Sequence, residues 1–219
     1  MQKNILFGIP IYTINIDPKS YDKNYILNII KKNYNLSPVR NSWDTHSDLH
    51  HAYVNPGEKE KFKFEDIDYE KSGLMSVYNK VFYDFCNTTL KTIHKFNYKY
   101  KIVNYTATKD NQYMAEHNHL PDDDFSIVHF LQFDSTHKST ILYNHNNFAS
   151  YLRHIRKDLY DLTDNNDGDN SYMYEHWSLN SKEDDLIIFP SVLKHMVNNS
   201  NSDKLRVTVV SNLKIKKNE

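Results

Sequence analysis

The chain has 219 residues, enough for one large domain, and its 39% hydrophobic content with 17 Tyr and 11 Phe can fill an aromatic-rich core. A formal charge of −1 supplies no bulk field for nucleic acid or an anionic membrane, and a single cysteine excludes an internal disulfide framework. The glycines Gly8, Gly57, Gly73 and Gly168 stand far apart, so no dinucleotide fingerprint, Walker loop or G-x-S-x-G elbow can be drawn.

No apolar run approaches the ~18 residues of a membrane span, and the N-terminus lacks a signal-peptide pattern. A cytoplasmic setting without membrane or nucleic-acid partners is therefore expected. The 12 histidines are where chemistry can sit.

Asn4 to Ile16 reads as an extended segment, and Pro10 argues for an edge position because it cannot donate to a ladder. Asp17-Pro18 marks a turn. Tyr21 to Tyr34 places Ile26, Leu27, Ile30 and Tyr34 on one helical stripe, and Pro38 ends it. Asn41 to Lys71 has no sustained period. It holds Trp43, His46, His50 and His51, whose spacing fits no closed zinc pattern, so a polar loop is the expectation. Helical spacing returns from Ser72 to Phe96, with Leu74, Val77, Val81, Phe82, Phe85, Thr89 and Ile93 on one stripe. Cys86 lies inside it and reads as a buried, inert thiol.

After Tyr98 the pattern becomes β. Short strands are expected at Tyr100–Thr108, Gln112–His119, Phe125–Phe133, Thr140–Tyr143, Tyr172–Leu179, Asp185–Phe189, His195–Asn198 and Leu205–Leu213. Strands following two helices suggest a mainly β domain, a sandwich or jelly roll with flanking helices. Asn147 to Tyr160 interrupts the strands at helical spacing, and a polar loop follows it. It reads as an insertion, either a lid or a surface excursion.

Chemistry concentrates in two places. His117 and His119 are two apart, and residues at that spacing in a strand project from one face. With His195 they make three facial ligands that leave other positions on a metal open. Should a carboxylate complete the set instead, Glu116, Asp122, Asp123 and Asp124 are the nearby acids, and Asp124 is the fallback, just past a turn at Pro121. Glu116 is disfavoured because it points to the opposite strand face from His117. Arg206 and Thr208 share one face of the last strand. An inward arginine is costly unless it meets an anion, and a guanidinium beside a hydroxyl suits a carboxylate.

The order H-x-H, then F-P-S-x-x-x-H, then R-x-T is similar to the iron(II)- and 2-oxoglutarate-dependent dioxygenases, in the bacterial and phage branch related to prolyl 4-hydroxylase domains. HNHLPDDDFSIVHFLQF, DDLIIFPSVLKHMV and LRVTVVSN carry the resemblance, with NILFGIPIYTINID and RNSWDTHSDL toward the N-terminus.

The resemblance implies a double-stranded β-helix, a cupin-like jelly roll. One domain spans 1–219, with strand and helical support in 1–97 and the jelly-roll core in 98–219, interrupted at about 144–171. It implies iron(II) at His117, His119 and His195, with His119 in the usual carboxylate position. It implies that Arg206, assisted by Thr208, binds the far carboxylate of 2-oxoglutarate, and that Tyr113 or Tyr105 reaches the same cosubstrate.

The implied activity is hydroxylation of a small molecule or peptide by O2, with 2-oxoglutarate decarboxylated to succinate, in the cytoplasm of a bacterium or a phage-infected host. A homodimer is compatible with this reading. The alternatives are a non-catalytic cupin-like binding protein and a three-histidine metal cupin enzyme that does not use 2-oxoglutarate. The histidine at 119 motivates both.

Overall fold

The computed structural model describes residues 1–6, 9–38, 47–51, 61–90, 96–145 and 175–217. Two antiparallel sheets organise them. The larger runs β1(Gln2–Leu6), β2(Ile9–Asn15), β10(Asp185–Pro190), β7(Phe125–Gln132), β12(Ser202–Lys217), β5(Phe96–Asp110), β4(His50–His51). The smaller runs β3(Ser47–Asp48), β6(Tyr113–His117), β11(His195–Val197), β8(Thr140–Tyr143), β9(His176–Ser178). Apart from β1 and β2, neighbours in each sheet are far apart in sequence, and from β5 onward the chain crosses between sheets repeatedly. This is the double-stranded β-helix expected from the sequence.

Period-two alternation sorts the side chains. Ile127 and Leu131 of β7, Leu186 and Ile188 of β10, and Val207 and Val209 of β12 face outward from the larger sheet into one core. Helices α1(Lys23–Leu36) and α2(Leu74–Asp84) cover that core with Ile26, Leu27, Ile30, Leu74, Tyr78 and Phe82. The alternate residues Val128, Phe130, Ile187 and Phe189 face inward and pack with Leu142 and Leu193. Each fully buried large apolar side chain contributes about 1.5–3 kcal/mol. Two-sided burial explains why β7 and β10 read as near-continuous apolar runs.

Local signals set the ends. Asp22 caps α1 by accepting from the Tyr25 amide at 2.9 Å. Gly73 precedes α2 at φ 81°, a left-handed conformation that favours glycine. The second helix is shorter than its stripe suggests: after Asp84 it becomes a π-turn over Phe85–Thr89, and Phe96 already begins β5. Pro10 is not on an edge strand, since β1 flanks β2. It sits opposite Ile5, beyond the stretch of β2 that pairs with β10, so no ladder bond to β10 is lost.

His50 and His51 form part of β4 rather than a loop. Trp43, His46 and residues 146–174, with most of the expected insertion, lie outside the described residues. Among the described residues no helix is long and apolar enough to cross a membrane.

Candidate metal centre and anion pocket

A cavity of about 420 Å³ opens between the sheets. Exposed Leu120 and Asp122 stand at one part of its wall, and fully buried Arg206 at another. His117, His119 and His195 line it together, and their candidate ligand nitrogens lie within 4.8 Å of one another. The three strongest candidates of the sequence are thus one cluster. Their placement differs from a simple strand pair. His117 ends β6 and lies directly opposite His195 in the β6–β11 register. His119 lies past the strand end, where its backbone amide donates to the Ser191 carbonyl at 3.3 Å. The chain turn, not strand alternation, brings its ring beside the others.

Hydrogen bonds fix the ring nitrogens. His117 Nδ1 bonds the Ala115 carbonyl at 2.9 Å and His195 Nδ1 the Leu193 carbonyl at 3.1 Å. A carbonyl only accepts, so each Nδ1 carries the proton and Nε2 is left as the lone-pair donor. His119 Nδ1 reaches Asn212 Oδ1 at 2.7 Å. Ring centroids are 4.3 Å apart for His117–His195 and 5.0 Å for His119–His195. Phe189 packs edge-on to His195 at 4.9 Å. Burial lowers the pKa of His117, and His119 beside it lowers it further. Burial also holds His195 well below its ordinary value, with His117 and His119 adding to the effect. Both rings are therefore neutral near pH 7, the form that binds a metal.

Arg206 is the largest fully buried side chain described. Its Nε donates to the Lys138 carbonyl at 3.1 Å, while Nη1 and Nη2 have no protein partner. Burial lowers its pKa to about 10, so it stays charged at neutral pH. Thr208 lies beside it on the cavity face of β12, its hydroxyl 2.6 Å from that of Thr106 on β5. Thr140 lines the same cavity. Apolar wall comes from Met114, Val128 and Val197.

Other expected residues lie elsewhere. Tyr105 faces the helices, where its hydroxyl bonds Asn33 and His50, each at 3.0 Å. Tyr113 alternates with cavity-lining Met114 and is not in the wall. Asp124 spends Oδ2 on the Ile215 amide at 2.7 Å and is not in the histidine cluster. Glu116 points away and pairs with Lys194 at 3.1 Å.

Thr106, Thr140, Asn104 and Asn212, which belong to no motif, line the cavity, and so does Asp123, one of the candidate acids. Asn212 carried a legible signal, because it continues the even-numbered face of Arg206, Thr208 and Val210. Asn104 did not. Both Val103 and Asn104 line the cavity because the β5–β12 register slips there, between Val210↔Asn104 and Ser211↔Ile102.

A family model described as "Putative 2OG-Fe(II) oxygenase" matches residues 104–212, the span that carries all of these cavity groups except Lys101 and Val103. No curated protein matches the sequence. Among solved structures, a prolyl-4-hydroxylase of Pseudomonas putida is similar over 93% of this chain and 91% of its own, at 10% identity and a TM-score of 0.51. A prolyl hydroxylase of Trichoplax adhaerens, solved with a hypoxia inducible factor peptide fragment, is similar over 93% and 82%, at 13% identity and a TM-score of 0.51. At these identities the likeness concerns the fold, which agrees with the two sheets described above. Fold, family match and the three-histidine cluster together lead to one conclusion: the chain belongs to the 2OG-Fe(II) oxygenase family.

Proposed function

We propose that the chain is an iron(II)- and 2-oxoglutarate-dependent hydroxylase. His117, His119 and His195 hold the metal, and Arg206 with Thr208 holds the far carboxylate of 2-oxoglutarate. The observation that carries the reading is the Arg206 guanidinium, buried and charged, with Nη1 and Nη2 unpartnered at the cavity. A buried charge without a counter-ion is unfavourable, so this geometry suits an anionic ligand.

The donor set fits the metal. Three imidazoles with their Nδ1 atoms engaged form a face of nitrogen ligands and leave room for a cosubstrate and O2. When bound, iron(II) with 2-oxoglutarate supplies oxygen activation coupled to oxidative decarboxylation to succinate. The chain's own residues orient and exclude. Arg206 pairs with the carboxylate through its planar fork. The Thr106–Thr208 hydroxyl pair offers a donor beside it. Met114, Val128 and Val197 keep that part of the cavity apolar. The substrate, a small molecule or a peptide side chain, reaches the metal past Leu120 and Asp122. The peptide held by the Trichoplax adhaerens enzyme supports the peptide class.

The three-histidine set also fits a metal cupin enzyme that does without 2-oxoglutarate. The unpartnered Arg206 fork favours the cosubstrate. Anaerobic titration with iron(II) and 2-oxoglutarate separates the readings. The expected result is a weak visible charge-transfer band that is absent in His195→Ala. A protein that takes up iron(II) without responding to 2-oxoglutarate supports the cupin reading, and one that binds neither overturns both.

A further inference from the structure

We propose that Asn212 and Asp123 are positioning residues for the third metal ligand. On this view they move the carboxylate charge of a two-histidine, one-carboxylate set from the metal to its outer shell. The proposal rests on the three-histidine reading above and adds what makes His119 serviceable there.

Three observations carry it. His117 and His195 are oriented by carbonyls of their own segments, at Ala115 and Leu193. His119 has no such anchor for its ring, because it stands beyond the end of β6. Its Nδ1 instead meets a side chain, Asn212 Oδ1, at 2.7 Å. The second arm of the same amide, Nδ2, donates to Asp123 Oδ2 at 2.6 Å. Asn212 is buried, on the β12 face that also bears Arg206 and Thr208.

The direction of this chain of bonds is forced by chemistry. An ionised carboxylate only accepts, so Asp123 takes the N–H of Asn212 and fixes which way the amide lies. The amide oxygen must then face His119 and can only accept, so His119 Nδ1 carries its proton. The other ring nitrogen is left with a lone pair for the metal. Among neutral side chains an amide suits this place well, since it accepts from an imidazole and donates to a carboxylate at once. A carboxylate linked to a ligating imidazole through hydrogen bonds raises the ligand's basicity. The negative charge absent at position 119 is thus present two bonds outward, on Asp123.

Co(II) serves as the probe, titrated anaerobically and followed by its visible d–d absorption. The wild type is compared with Asn212→Leu, Asp123→Asn and the exchange of both residues, Asp123→Asn with Asn212→Asp. Asn212→Leu keeps the volume and removes the acceptor. It should weaken Co(II) binding by about 10–100-fold, the cost of losing an outer-shell partner, and shift the absorption band. Asp123→Asn should weaken it less, because the Asn212 acceptor survives without its fixed orientation. The exchange rebuilds both bonds with carboxylate and amide transposed, so it should recover most of the affinity and the wild-type band.

Recovery by the exchange is not expected of residues that merely fill space. Unchanged Co(II) affinity in Asn212→Leu overturns the proposal, as does an exchange no better than the weaker single variant. Should Asn212→Leu fail to fold, Asp123→Asn decides, and wild-type affinity there overturns it. His117→Ala keeps the two readings apart. If it binds Co(II) like the wild type, or the wild type binds none, the three-histidine site itself falls. If only His117→Ala is impaired, this proposal alone falls.

Discussion

The guanidinium carbon of Arg206 lies 5.3 Å from the centroid of the Phe130 ring. Phe133 flanks it at 5.9 Å, and one bond from Nε to the Lys138 carbonyl holds it in place. The cation is thus packed between aromatic faces with its fork left over. Without an anion this arrangement costs stability, because a desolvated charge is only partly compensated. Arg206→Met should therefore leave the melting temperature of the ligand-free protein unchanged or raised. It should also cost about 2–5 kcal/mol in 2-oxoglutarate affinity, the range for removing one partner of a buried charge pair. Scanning fluorimetry with and without 2-oxoglutarate checks both. The wild type should gain about 2.7 kcal/mol at 100 times its dissociation constant, and the variant should gain less than about 1 kcal/mol at the same concentration. A ligand-free variant that melts well below the wild type would show that Arg206 is a structural residue instead.

A second histidine system governs acid stability. His129 sits on the helix-facing side of β7, its Nδ1 3.0 Å from the Tyr78 hydroxyl. Burial, with Lys23 adding a smaller push, lowers its pKa to about 3. The folded state keeps this ring neutral, whereas the unfolded chain protonates it near 6.5. Its contribution is complete above pH 6.5 and is lost as pH falls from 6.5 toward 3. At pH 5 the loss from this group alone is about 2 kcal/mol, at 1.36 kcal/mol per unit. His117 and His195, also shifted down by burial, add to the slope with the same sign in metal-free protein. Urea unfolding of metal-free protein between pH 7.5 and 5 should show this decline. His129→Gln should reduce the slope by about one proton, whatever it does to the stability at pH 7.5.

Cys86 should be chemically silent. It is 1% exposed on the π-turn that follows α2, and burial pushes its thiol up to about 11. The thiolate, the reactive form, is scarce at neutral pH. A disulfide reagent at pH 7.5 should label the native protein only as fast as it unfolds, and the urea-unfolded chain at once. Rapid labelling of the native state would contradict this packing.

Much of this was legible beforehand. The strands β7, β10 and β12 follow from apolar and β-branched composition. The histidines 117, 119 and 195 and Arg206 followed from an ordered motif. Tyr105 was misplaced because strand parity depends on which face meets the helices, and α1 takes its hydroxyl through Asn33. Asp124 was preferred to Asp123 on sequence nearness to a turn. The turn instead sends Asp124 to the Ile215 amide and Asp123 to Asn212.

The sequence by itself determined the types of side chain available and their order: imidazoles in an H-x-H pair, a third before the last strand, and a guanidinium with a hydroxyl two residues on. Those are local facts of spacing, and period two places Arg206 and Thr208 on one face without any tertiary information. Only the tertiary structure decided which groups meet. His195 stands opposite His117 because β11 pairs with β6 in that register. Asn212 meets His119 because β12 passes the turn beyond β6. Sheet pairing over long sequence separations sets both contacts, and nothing in a single strand's composition encodes them.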